Sequence, residues 1–278
     1  MAELPELETM RRGLEKESVG KRFKAPDVAT TKVLRSGTTK KAFQSRLEGA
    51  KVKSVDRKGR HLVANLDSGD VLVLDLGSAG HLEKATPKST APKETVIALN
   101  FTQGSPIRVI DPAGDVEATV VAAEDLATEV PETAAGGLDP VADAVSWTAF
   151  ARLILARSMR LKTMLMDPEV VAGIGPIYSD EILYEAGLRH DRISNELSSQ
   201  EIRRLFRALV ETLHEAVKHR GTSLEDAPFV DIYGKPGEYQ EQLRVYGREG
   251  EPCRRCRAPI VKLRFSNKPV YLCEACQV

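Results

Sequence analysis

Apolar residues recur along this chain in two rhythms, and the change from one to the other divides it. From Pro5 to Ser18 the rhythm is helical, with Leu7, Met10 and Leu14 at i, i+3 and i+7 on one face. Pro5 suits the first turn, and Glu6 and Glu8 suit its positive dipole end. Residues 50–76 read as strands. Val52, Val55, His61-Leu62-Val63 and Val71-Leu72-Val73-Leu74 are punctuated by the turn signals Lys58-Gly59 and Ser68-Gly69-Asp70. Thr95–Leu99 and Ile107–Ile110 continue that pattern. Residues 113–139 are rich in Ala, Glu, Thr and Gly, and Glu132–Gly137 reads as an exposed joint. From Asp143 the pattern turns helical, over Trp147–Met159, Leu161–Asp167, Ile177–Ala186 and Ser199–His219. The tail from Pro252 reads as short strands around cysteines, and no internal repeat is visible. The pattern gives an α+β chain with a β-rich N-terminal half opened by a helix and a helical C-terminal half.

Composition narrows the class. A chain of 278 residues with 42% hydrophobic content can bury a real core, as one large domain or two ordinary ones. It has no run of about 18 apolar residues, so no membrane span is expected. The start, Met1-Ala2-Glu3-Leu4-Pro5-Glu6, is acidic and polar and lacks the features of a signal peptide. Forty basic residues balance forty acidic ones. Zero net charge is unusual for a protein that grips phosphates, but local patches decide such binding. The C-terminal segment is one: Arg244, Arg248, Arg254, Arg255, Arg257, Lys262, Arg264 and Lys268 face only Glu249, Glu251 and Glu274.

The four cysteines are confined to the tail, as Cys253-x2-Cys256-x16-Cys273-x2-Cys276. Each Cys-x-x-Cys turn brings two thiolates to one side of a tight loop. Two such turns supply a closed tetrahedral set for one structural Zn2+, with no position left for a catalytic water. Free thiols or two disulfides are the plainer alternatives. Clustering of this kind points to a reduced cytosolic protein rather than a disulfide scaffold. So small a lobe has no core of its own, and metal binding would supply its folding energy. His61, His81, His190, His214 and His219 show no metal-like spacing. Arg203, Arg204 and Arg207 read as a solvated helix face.

Three stretches together resemble the formamidopyrimidine-DNA glycosylase / endonuclease VIII family. The first is Ala2-Glu3-Leu4-Pro5-Glu6-Leu7-Glu8-Thr9 with Arg11-Arg12-Gly13-Leu14. The second is Leu161-Lys162-Thr163-Met164-Leu165-Met166-Asp167 running into Gly173-Ile174-Gly175-Pro176-Ile177-Tyr178-Ser179-Asp180-Glu181. The third is Val245-Tyr246-Gly247-Arg248-Glu249-Gly250-Glu251-Pro252-Cys253. Weaker echoes are Leu76-Gly77-Ser78-Ala79-Gly80, Asp111-Pro112, Gly137-Leu138-Asp139-Pro140 and Gly221-Thr222-Ser223-Leu224. Their order and spacing match from end to end. The resemblance implies an N-terminal β-sandwich with an opening helix over residues 1–132. A helical domain with a helix-two-turn-helix would follow over 138–242, and a four-cysteine zinc finger over 243–278.

The resemblance also implies a chemistry. The nucleophile would be the terminal amine freed by removal of Met1, here that of Ala2 where the family usually has proline. A primary α-amine has a pKa of about 7.7–8.0, so a useful fraction is unprotonated near neutral pH. It could attack the sugar carbon that carries the base, forming a Schiff base and then expelling the 3′ phosphate. Glu3 would shuttle protons and Glu6 would support the site. The plainer alternative is that both acids merely complement a helix N-terminus. Arg60 stands where the family has a lysine. Lys162, Pro176, Tyr178, Arg248 and Lys268 would contact DNA, although Lys162 can equally be a helix-surface lysine.

Several positions depart from the family. Arginine at 60 can hold a phosphate but does not readily shed its proton. Pro176 replaces an asparagine and has neither amide nor N–H. Lys268 replaces an arginine and loses its fork. Ser78 and the loop Asp111-Pro112-Ala113-Gly114-Asp115-Val116 lack the side chains that would fill the gap left by an extruded base. The expectation is a monomeric, cytoplasmic, bacterial-type DNA repair glycosylase with abasic-site lyase activity, bound to damaged, abasic or single-stranded DNA at the nucleoid. The alternative is a non-catalytic DNA-binding member of the same family.

Overall fold

The computed structural model describes residues 2–86, 89–134, 136–266 and 268–278. The chain forms two compact units, Met1–Ala134 with Arg220–Gly237, and Ala135–His219 with Glu238–Val278.

The first unit opens with α1 (Leu4–Ser18), whose Leu7, Met10 and Leu14 are buried as the spacing requires. A short strand β1 (Asp27–Val28) and helix α2 (Lys40–Leu47) follow. Then come β2 (Val52–Lys58), β3 (His61–Leu66), β4 (Asp70–Asp75), β5 (His81–Lys84), β6 (Thr95–Leu99), β7 (Ile107–Ile110) and β8 (Glu117–Ala122). They build two four-stranded antiparallel sheets, ordered β2-β3-β4-β8 and β1-β6-β7-β5. Val55, Leu62, Leu72 and Leu74 from one sheet join Val28, Leu82, Ile97, Leu99, Ile107 and Val109 from the other in a single core. This is the expected β-sandwich. The unbroken apolar run of β4 has its own explanation. Its alternate residues Val71 and Val73 face outward, where Val63, Val121, Leu126 and Val130 cover them.

The sequence reading did not identify β1, β5, β8 or α2. Strand β8 is Glu-Ala-Thr-Val-Val-Ala, inside the stretch read as Ala- and Thr-rich connection, and it becomes a strand by pairing with β4 along its whole length. Helix α2 has only Phe43 and Leu47 buried and depends on Thr39, whose hydroxyl caps it by accepting from the Ala42 N–H. Glu132, read as part of the joint, is held in the first unit by Arg35.

Helix α3 (Leu126–Glu129) belongs to the first unit; the helices of the second are α4 (Trp147–Leu155), α5 (Leu161–Leu165), α6 (Pro176–Ala186) and α7 (Ser199–Lys218). Helix α7 starts at a Ser198/Glu201 capping box, and α6 stops at Gly187, whose φ of 68° is the left-handed conformation that glycine adopts without strain. The hairpin β9 (Val261–Phe265) and β10 (Lys268–Leu272) closes the chain. The segment Arg220–Gly237, which the sequence reading places inside the helical domain, folds with the first unit. Its Phe229 and Ile232 are part of the sandwich core.

That return sets a close contact on α1. A Cβ at Gly13 would overlap the Ile232 side chain. Alanine normally stabilises a helix over glycine by about 1 kcal/mol. Here Gly13→Ala is expected to destabilise the first unit by about 1–3 kcal/mol through overpacking, read as a lowered urea midpoint. An unchanged or raised midpoint would show that Ile232 moves aside freely.

Candidate active site and metal centre

Glu3 is the N-cap residue of α1 and sits in a reciprocal box with Glu6: the Glu3 N–H donates to Glu6 Oε2 at 2.9 Å. Both carboxylates are only 3% exposed. The other oxygen of Glu6, Oε1, accepts the Thr222 N–H at 2.7 Å. Gly221 makes this approach possible, because its φ is +83° and a Cβ there would stand 2.5 Å from Glu6 Oε1. Ala2 is half-buried against the sandwich core. The structure therefore brings Ala2, Glu3 and Glu6 together at one helix N-terminus. Thr222, which the sequence reading did not assign to the site, belongs with them; its one signal was the Gly221-Thr222-Ser223-Leu224 echo.

One turn further along α1, Glu8 collects three arginines. Arg11 donates from Nε and Nη2 at 3.0 Å each, Arg12 from Nε at 2.8 Å, and Arg57 approaches at 3.4 Å. Burial alone would raise the Glu8 pKa, but the hydrogen bonds of Arg11 and Arg12 and the charges of Arg11 and Arg57 hold it below the usual carboxylate range. Arg57, from β2, also donates to the Gly59 carbonyl at 3.2 Å and so braces the turn that carries Arg60. Arg60 is half-buried, and its Nη2 donates to the Gly77 carbonyl at 2.8 Å. The neighbouring Ser78 N–H donates to both Asp115 oxygens at 3.1 and 3.0 Å. Hydrogen bonding from Ser78 holds the Asp115 carboxyl below its ordinary value, with Arg60 adding its charge. Asp111 Oδ1 accepts the N–H groups of Gly114 and Asp115, closing the loop on itself.

In the second unit the expected DNA contacts separate. Lys162 is 1% exposed, and its ammonium bonds Asp180 Oδ1 at 2.6 Å. Tyr178 is fully buried, with its ring 5.7 Å from that of Tyr239. In this structure the Lys162 ammonium is paired with a buried carboxylate and the Tyr178 ring is packed in the core. Arg248 is turned inward, donating to the Arg244 carbonyl and to Glu251, each at 2.8 Å. Pro176 is the half-buried first residue of α6, where its missing N–H costs no helical bond. Lys268 is exposed at the start of β10.

Helix α6 also carries the finger. Glu181, 1% exposed, accepts the N–H groups of Arg244, Val245 and Tyr246 at 2.8, 2.9 and 2.9 Å. Asp180 Oδ2 accepts the Tyr271 N–H at 3.0 Å. All four cysteines are free, and their sulfurs lie within 4.8 Å of one another, with Cys253–Cys276 at 3.8 Å and Cys256–Cys273 at 3.4 Å. Four sulfurs each about 2.3 Å from a common centre stand about 3.8 Å apart in a tetrahedron. The donor set fits a closed structural metal site and leaves no position for a substrate.

Comparison with known proteins agrees with this organisation. The formamidopyrimidine-DNA glycosylase N-terminal domain model matches residues 1–114, the H2TH domain model of the same enzymes residues 137–227, and a zinc finger found in FPG and IleRS residues 250–278. Fold and site thus define a member of a class of DNA glycosylases built with a helix-two-turn-helix and a zinc finger. Formamidopyrimidine-DNA glycosylases from Desulfitobacterium hafniense and Acidothermus cellulolyticus are 31% and 35% identical to it, each across all of this chain and at least 97% of their own length. The Thermus thermophilus protein superposes with a TM-score of 0.87 at 32% identity, covering 99% of this chain and 98% of its own. The Lactococcus lactis protein, solved with abasic-site DNA, gives 0.88 at 25% identity over the full length of both chains. The chain belongs to the formamidopyrimidine-DNA glycosylase family. No helix among the described residues is long and apolar enough to cross a membrane.

Burial raises the Asp180 carboxyl to about 6 even beside the Lys162 ammonium. Removing that partner leaves a buried acid without its countercharge, so Lys162→Met is expected to destabilise the second unit by about 3–5 kcal/mol. The sign with pH follows from linkage. An acid whose folded pKa is raised binds its proton more tightly when folded, so the stability it confers is lost as pH rises through the folded value. The Lys162→Met deficit should therefore be larger near about pH 8 than near about pH 5, as read by urea melts at the two pH values. A neutral substitution would place Lys162 outside the core pair.

Proposed function

We propose that this protein is a DNA glycosylase with associated lyase activity at abasic sites, and that the α-amine of Ala2 is its nucleophile. Met1 itself lies outside the described residues, and its removal is part of the proposal. The observation that carries the reading is the position of Ala2: it directly precedes a buried N-cap carboxylate, at a helix N-terminus that Glu6 pins to Thr222.

In this reading the Ala2 nitrogen bonds to the sugar C1′ as the bond from C1′ to the damaged base breaks, and the base leaves with the bonding pair. Loss of a proton from nitrogen and opening of the sugar ring give an imine. Removal of a proton from C2′ then expels the 3′ phosphate. Glu3 is the proton carrier, since it adjoins the amine and is held within the cap. Glu6 keeps the first turn of α1 fixed while this happens. Arg60, anchored on Gly77, would hold a phosphate rather than exchange protons. Ala2 gives a primary amine, so its imine must be protonated before elimination. A slower reaction with a stronger pH dependence than that of a proline amine is expected.

The substrate preference follows from the turn at Ser78. It carries a small side chain and is tied to Asp115, and the 111–116 loop is closed by Asp111. With no long side chain at Ser78 to fill the gap left by a flipped base, extrusion costs a few kcal/mol that this turn does not offset. Abasic sites and bases already unpaired are the favoured substrates. Zinc is the metal proposed for the four cysteines, one per chain, where it would cross-link the finger. DNA is held through exposed cations such as Lys268.

Borohydride trapping on abasic-site DNA tests the chemistry. Mass spectrometry should show Met1 absent, and trapping should disappear when one residue is added before Ala2. Glu3→Gln should cut turnover at least tenfold while sparing binding. Trapping that survives a blocked N-terminus assigns the chemistry to an internal lysine, and no trapping on any lesion favours a DNA-binding protein without excision. Binding itself should weaken with salt. Lys268→Ala is expected to reduce the slope of log affinity against log salt by about 0.9, the contribution of one phosphate, whereas Lys162→Met should leave it unchanged.

A further inference from the structure

The finger touches α6 through one side chain whose chemistry is directed at a ligand sulfur. Tyr184 is 1% exposed and lies in a small core with Val245, Cys253, Ile260 and Cys273. Its hydroxyl is 3.3 Å from Cys253 Sγ. Among the described residues no other side chain outside the cysteines hydrogen-bonds one of the four sulfurs. The ring is also held by Arg255. The Arg255 guanidinium lies 4.3 Å from the ring centroid, and its Nη1 donates to the Tyr184 carbonyl at 2.8 Å. Arg255 also pairs with Glu185, so helix and finger fix the ring together.

We propose that the Tyr184 hydroxyl donates a hydrogen bond to the metal-bound Cys253 thiolate and thereby slows loss of zinc from the finger. The inference rests on the zinc reading of the four cysteines. The direction of the bond follows from protonation. A sulfur bound to zinc carries no proton, while a phenol with an ordinary pKa of about 10 keeps its own at neutral pH, so the oxygen is the donor. A hydrogen bond to an ionised acceptor is about twice as strong as one between neutral groups. It also draws charge off the sulfur, which makes Cys253 a poorer base and a poorer nucleophile. Cys253 receives the Arg255 N–H as well, at 3.4 Å, so two donors converge on one ligand. Cys256, by contrast, is exposed. The site is therefore lopsided. The sulfur facing α6 is shielded and hydrogen-bonded, and exchange or oxidation should begin at the sulfur facing solvent.

A purely structural role for Tyr184 is separable from this one, because phenylalanine fills the same space and keeps the face that Arg255 covers. The full-length chain is loaded with zinc for release kinetics and with Co2+ for spectroscopy. Tyr184→Phe should speed zinc release to excess chelator about tenfold or more, the scale on which groups behind a metal ligand act. It should also move the sulfur-to-cobalt charge-transfer band to lower energy, since a thiolate without its hydrogen bond gives up an electron more easily. Arg255→Ala, which removes the stacked cation and leaves the hydroxyl, should leave the band in place. An unshifted band in Tyr184→Phe overturns the proposal whether or not release is faster, because faster release alone would mean only looser packing. A wild-type chain with no charge-transfer band removes the zinc reading and this inference with it.

Discussion

A carboxylate taken out of water must be met by donors, and Glu6 is met by the N–H of Glu3, at a sequence separation of 3, and by that of Thr222, at a separation of 216. Glu3 N–H satisfies one oxygen and starts α1. Thr222 N–H satisfies the other and draws Arg220–Gly237 out of the helical half of the chain into the first unit. Phe229 and Ile232 then complete the sandwich core, and Ile232 presses on α1 so closely that only glycine fits at position 13. The acid that supports the proposed chemistry is thus also the acid that closes the fold around it.

The second unit repeats the device on α6. Asp180 and Glu181 are adjacent, so on a helix they point in different directions. One receives Lys162 and the Tyr271 N–H, the other three consecutive N–H groups from Arg244 to Tyr246. Tyr184, one turn beyond Asp180, reaches a cysteine sulfur. A finger with little core of its own is thereby referenced to a helix at several points, and its metal site inherits the order of that helix.

The turns of the sandwich brace one another. Arg60, Ser78 and Asp115 belong to three different turns of the sandwich, and hydrogen bonds join them through Gly77 and the Ser78 N–H. Two of these links use backbone groups, the Gly77 carbonyl and the Ser78 N–H, so they brace the turns whatever side chain stands at 78.

Much of this was legible from residues alone. The helical face Leu7, Met10 and Leu14 and the apolar strands are local patterns, fixed by neighbours a few residues away. The paired Cys-x-x-Cys turns are of the same kind. Strand β8, with its Ala and Thr, is not, because what makes it a strand is its pairing with β4. Lys162 and Tyr178 look the same in sequence whether they face water or the core, and only the presence of Asp180 and Tyr239 beside them decides it. The sequence by itself determined the amphipathic helices, the apolar strands, the paired cysteine turns and the acidic start of α1, since each depends on short-range periodicity or spacing. Tertiary structure alone decided which charges are consumed internally and which remain for a partner, because that depends on distances between residues the chain keeps far apart.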